Sequence, residues 1–180
     1  MIFSRRSFSS VYVARKRLAA SSALRDAIVG RVWETYANAF EHAKSPVGVF
    51  SCGQHFPRKH SLQLCVVDFG VGIPSNVRWF VQNPDLPADV ALRWAFEAGN
   101  TTAPNGMGQG IGLDLLRELV NVNAGCLEVF SHEGYARIDD KGEKYETRGS
   151  VFEGTLLNVS LRCDDRYYCF QSEAPGGWLF

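Results

Sequence analysis

Between residues 23 and 43 apolar side chains recur at helical spacing: Ile28, Val29, Val32, Trp33, Tyr36, Ala37 and Phe40 share one side, and Pro46 follows. The spacing predicts a helix over 23–43 with its buried stripe built on Trp33, Tyr36 and Phe40. Val47 to Ser51 and Leu62 to Val67 are β-branched and apolar and read as strands, with 52–61 between them as a turn. Two short helical patterns follow, over 75–82 and, after Pro87, over 88–98. Residues 99–110 are dominated by Gly, Asn, Thr and Pro and read as a loop. The amphipathic run 111–122, with Leu113, Leu116, Leu119 and Val120 on one side, predicts a further helix. From Gly125 onward the pattern turns to strands, over 127–131, 135–138, 143–147 and 155–161. Helices interleaved with strands, then a closing run of strands, predict an α+β fold: one mixed sheet with helices packed on one face.

Four places along this pattern offer chemistry. Glu34, Asn38 and Glu41 stand at i, i+4 and i+7, on a helix face opposite the Trp33/Tyr36/Phe40 stripe. A carboxylate there can accept a proton, and an amide oxygen can be a hard ligand for magnesium. Asp68 ends a strand and leads into Gly70 and Gly72, which allow a sharp turn and a close approach to a flat ring. Gly106, Gly108, Gly110 and Gly112 alternate directly ahead of a helix, where free N–H groups and the helix dipole cradle phosphate. The spacing is neither that of a P-loop nor the dinucleotide fingerprint. Last, Gly154-Thr155 opens the final strand.

In this order the four pieces resemble the ATP-binding domain of the GHKL superfamily, which groups DNA gyrase, a heat-shock chaperone, histidine kinases and mismatch-repair ATPases. The resemblance runs from about Ala23 to Leu161. It implies the two-layer α+β sandwich known as the Bergerat fold, with ATP and magnesium bound between helices and sheet beneath a lid. It also implies Asn38 as the magnesium ligand, Asp68 as the adenine reader, and Gly70 and Gly72 as walls of the base pocket. Gly106, Gly108, Gly110 and Gly112 become lid hinge and phosphate cradle, and Thr155 lies beside the adenine. Asn100, Thr101 and Thr102 fall in the lid and approach the phosphates.

Glu34, four positions before Asn38, resembles the base of family members that activate a hydroxyl or water, including anti-sigma-factor serine kinases. The resemblance thus implies a Mg-ATP-binding regulatory domain acting on a partner protein, with Glu34 catalytic and the chain an ATP-dependent protein kinase or ATPase. Two alternatives stand beside it: the catalytic domain of a sensor histidine kinase, and a nucleotide-gated binding module with negligible turnover. The 19 residues after Leu161 leave no room for a transducer domain, and no histidine precedes His42.

Composition narrows the partners. Nineteen basic and nineteen acidic residues cancel, which gives no reason to expect nucleic acid. Mean hydropathy is −0.12 and no apolar run reaches membrane-spanning length, so the expectation is a cytoplasmic protein. The five cysteines are scattered without metal-ligand spacing and read as free thiols. Residues 1–22 form a basic arm, readable as a presequence, a tether for an acidic partner or the start of a fragment. Residues 23–161 read as the ATP-binding domain and 162–180 as an aromatic tail that packs on it. The charged stretch 139–144 reads as the solvated tip of a hairpin.

Overall fold

A computed structural model of the protein describes residues 18–102 and 112–173. Helix α1 (Ser22–His42) starts where the Ser21 hydroxyl accepts the Leu24 N–H at 3.1 Å. Strands β1 (Val49–Phe56) and β2 (Ser61–Asp68) form a hairpin, followed by α2 (Ile73–Phe80), α3 (Ala88–Phe96) and α4 (Gly112–Asn123). A second, longer hairpin of β3 (Cys126–Asp139) and β4 (Gly142–Arg162) closes the sheet in the order β1-β2-β4-β3. The fold is α+β, in two layers. Among the described residues all three strand pairs are antiparallel, where a mixed sheet was expected, and the one parallel pairing is the bridge between Ala20 and Tyr168.

The core lies between the sheet and the helices, and strand periodicity fills it row by row. Leu62 opposes Leu161; Leu64, Val159 and Leu127 form the next row; Val66, Leu157 and Val129 the one after. All of these are buried, together with Ile28 of α1, Leu92 and Phe96 of α3, and Leu116, Leu119 and Val120 of α4. The opposite sheet face carries its own row, Phe50–Val67–Leu156–Phe130, and no described helix packs on it.

Three expectations are corrected. The stripe that α1 buries is Leu24, Ile28, Thr35 and Tyr36, while Trp33 and Phe40 are 47% and 49% exposed. Glu34 and Asn38 therefore flank the buried stripe on one side, with Trp33 and Phe40 on the other, rather than facing away from an aromatic core. The first hairpin turns at Pro57–His60, not across 52–61. Cys52 to Phe56 stay paired to Ser61–Cys65, and His60 takes the left-handed conformation that reverses the chain. The four short C-terminal strands are two long ones, irregular in register around His132, whose φ is 53°. The charged tip is solvated as expected, with residues 140–144 exposed, while the stem of the hairpin is packed: Tyr135, Ala136 and Ile138 are buried, and Tyr145 packs edge-on against Phe96.

Two further ties complete the domain. Tyr168 is buried in the core, exchanging backbone hydrogen bonds with Ala19 and Ser21, so this part of the aromatic tail packs on the domain. Asn123, fully buried at the end of α4, donates through Nδ2 to the Arg162 carbonyl at 3.2 Å and accepts the Arg162 N–H at 2.6 Å.

Candidate functional site

On β2, β4 and β3 the inward rows stay aliphatic until their last step. There Asp68 ends β2, Thr155 lies opposite it on β4, and Ser131 lies opposite Thr155 on β3. One row across three strands thus turns polar, on the face where every preceding row is Leu or Val. Aliphatic side chains here would each stabilise the fold by roughly 1.5–3 kcal/mol when fully buried. The chain forgoes that and places a carboxylate and two hydroxyls under the helices.

Each member is held. Asp68 is 4% exposed, and its Oδ1 accepts the Gly70 N–H at 2.9 Å. Burial pushes its carboxyl above the ordinary range, and the backbone N–H groups of Gly70 and Thr155 pull partway back. The Ser131 hydroxyl is within 2.8 Å of Thr155 Oγ1, lies 3.1 Å from the Gly154 carbonyl, and accepts the Ile73 N–H at 2.8 Å. That last bond anchors the start of α2 to the sheet.

The walls come from backbone packed too closely for side chains. A Cβ on Gly70 would lie 1.7 Å from the Ala43 carbonyl oxygen, and Val71 N–H donates to that same oxygen at 2.8 Å. Gly154, at φ 107°, passes so near that its Cβ would meet the Asp68 carbonyl at 2.1 Å. Gly72, at φ 75°, faces Gly154 and Ser131. The end of α1, the Asp68–Gly72 turn and the start of the last β4 segment therefore meet at one corner.

Sequence-predicted residues divide accordingly. Asp68, Gly70, Gly72 and Thr155 come together. Asn38 is exposed on α1. Glu34, also on α1, accepts from Arg31 at 2.7 Å through Oε1, while its shielded Oε2 has no hydrogen-bond partner among the described residues. Thr101 and Thr102 are half-buried just past α3, and the Asn100 amide caps that helix by donating to the Trp94 carbonyl at 2.9 Å. Gly112 begins α4, whereas Gly106, Gly108 and Gly110 lie outside the described residues. Ser131, Ala43 and Ser45, whose hydroxyl accepts the Phe69 N–H at 3.3 Å, are members that sequence reading missed. The signal for Ser131 was present, since Leu127-x-Val129-x-Ser131 ends in a polar residue as Leu64-x-Val66-x-Asp68 does.

Beside this corner, Glu133 accepts from Arg78 of α2 at 2.5 Å and touches the His132 imidazole. Burial alone raises the Glu133 carboxyl, but Arg78, its own backbone N–H and His132 outweigh it and bring it down to about 2. A carboxyl depressed from 4.5 stabilises the fold fully above that pH and loses its contribution as pH falls towards 2. Glu133→Gln is therefore expected to flatten the fall in unfolding midpoint across this acid range. A midpoint curve that keeps the parent's shape in the variant refutes the tie.

No family model and no curated protein matches this chain. Among solved structures it is similar to the histidine kinase domain of the blue-light activated histidine kinase from Erythrobacter litoralis EL346. The two are 20% identical with a TM-score of 0.45, over 86% of this chain and 57% of that one. The chain thus spans little more than half of that structure. Among the described residues no helix is long and apolar enough to cross a membrane.

Proposed function

We propose that this chain is a Mg-ATP-binding regulatory domain that transfers phosphate to a partner protein's hydroxyl or to water. The observation that supports this most is the polar row Asp68–Thr155–Ser131, set against aliphatic rows and walled by glycines that exclude side chains. Asp68 offers a carboxylate oxygen to an exocyclic amine, and the close backbone approach that Gly70 and Gly154 permit holds that carboxylate at the corner where β2, β4 and the end of α1 meet. Asn38 offers its amide oxygen to magnesium, which neutralises the triphosphate when bound. Glu34 keeps a lone pair free on Oε2 while Arg31 holds its other oxygen, as a base awaiting a hydroxyl requires.

Titration calorimetry with ATP, with and without magnesium, and release of labelled γ-phosphate test this reading. Asn38→Ala is expected to remove the magnesium-dependent part of the affinity and spare the rest. Glu34→Ala is expected to bind ATP like the parent and to slow phosphate release by roughly 10²–10⁴-fold. Turnover that survives Glu34→Ala removes the base from this residue. A parent chain that binds no ATP at millimolar concentration removes the whole reading.

A further inference from the structure

The sheet face turned away from the helices holds two cysteines side by side. Cys52 of β1 and Cys65 of β2 are direct partners in the antiparallel register. Alternation puts both on the open face, Cys52 exposed and Cys65 half-buried. Facing pairs in antiparallel strands have Cα atoms about 4.5 or 5.5 Å apart, and both spacings fall within the roughly 4.4–6.8 Å a disulfide spans.

The geometry points to Cys52 and Cys65 as a reversible thiol–disulfide site, oxidised by small-molecule disulfides of the glutathione class. The exposed Cys52 sulfur, as thiolate, attacks one sulfur of oxidised glutathione. The S–S bond breaks, one glutathione leaves with the electron pair and takes up the proton, and a mixed disulfide remains on Cys52. Cys65 then attacks the Cys52 sulfur and expels the second glutathione, which takes up the Cys65 proton. Two protein thiols are oxidised to one disulfide, and one glutathione disulfide is reduced to two thiols.

Strand spacing makes the bond reversible. Facing Cβ atoms lie about 4.5–5.5 Å apart in a relaxed ladder, against about 3.5–4.5 Å in a disulfide, so closure pulls the strands together and leaves the bond easily reduced. Burial raises the Cys65 thiol, and the neighbouring Cys52 raises it further, so a proton must leave before the second step. The remaining cysteines are poorly placed to compete. Cys126 lies on β3, two strands from Cys65 and one row along, so about 12 Å separates them. The bond would bind edge strand β1 to β2 three residues from Val49, which faces Asp68.

The test incubates the folded chain with glutathione buffers of increasing oxidised fraction, then counts thiols and maps peptides without reduction. The expected result is loss of two of the five thiols, a Cys52–Cys65 linked peptide, and full recovery on returning to reduced glutathione. Cys65→Ser is expected to stop at one glutathione on Cys52, which identifies the attacking and resolving sulfurs. Stable glutathionylation of the parent, a disulfide between two chains, another cysteine pairing, or two unreacted thiols under excess oxidant would each overturn the proposal. Cys52→Ser, conservative at an exposed position, must leave the unfolding midpoint of the reduced protein unchanged while abolishing the linked peptide.

Discussion

Asp68→Asn is expected to weaken adenine-nucleotide binding about 100-fold while leaving the free protein as stable as the parent or more so. Hydrogen bonds to charged groups contribute about 1.5–3 kcal/mol, and the amide that replaces the carboxylate can present a donor where the amine needs an acceptor. The stability half follows from burial. Asp68 is almost wholly buried, and its carboxyl is raised because the charged form is desolvated there. An amide oxygen still accepts the Gly70 N–H without carrying that charge. The sign can be checked with pH. Below the ordinary carboxyl value of 3.8 parent and variant are both neutral at this position, so any advantage of the variant is expected to grow as pH rises past it. Calorimetry and thermal melts from pH 3 to 7 measure both halves. Unchanged affinity removes Asp68 from the nucleotide, and a variant that melts far below the parent makes the residue structural.

Gly154→Ala carries the largest expected stability loss, about 3–5 kcal/mol, combining a left-handed backbone with overpacking. The new methyl would meet the Asp68 carbonyl at 2.1 Å and the Phe69 Cα at 2.7 Å, both backbone atoms with nowhere to go. For a chain of this size that corresponds to a fall of about 10 °C in unfolding midpoint. Gly149→Ala, where nothing lies within 4 Å and φ is ordinary, is the control and is expected to change stability by about 0.5 kcal/mol or less. Equal melting of the two variants would mean that β4 does not pass against Asp68 as closely as described.

How much of this was legible depended on whether a signal was local. The helices α1, α3 and α4 could be placed from periodicity, and Ser21 and Pro87 mark two of their starts. Which part of α1 is buried could not be read. Apolar residues spread over more than half its circumference, and only the sheet beneath decides that Thr35 goes in while Trp33 stays out. Gly53 and Pro57 suggested an early turn, yet cross-strand pairing carried β1 through the glycine and left the reversal to His60. The irregularity at His132 is set by register between β3 and β4, which no single segment displays. For the site, Asp68 and its glycines stood out because the motif is contiguous. Ser131 did not, since its meaning comes from standing opposite Thr155, and Gly154 is informative only once β2 runs beside it.

Asn123 gives α4 an unequal pair of ends. Its side-chain amide takes the place of a strand residue's peptide, exchanging two hydrogen bonds with Arg162, and Gly125 just beyond comes so near Ser160 that a Cβ would lie 2.4 Å from its carbonyl. The helix is riveted to the sheet at its tail. Its head, at Gly112, joins the glycine-rich stretch that precedes it in the sequence. Between those ends α4 lies against α1 and buries Leu116, Leu119 and Val120 in the core, so its whole length is bonded or packed except at the glycine-rich approach.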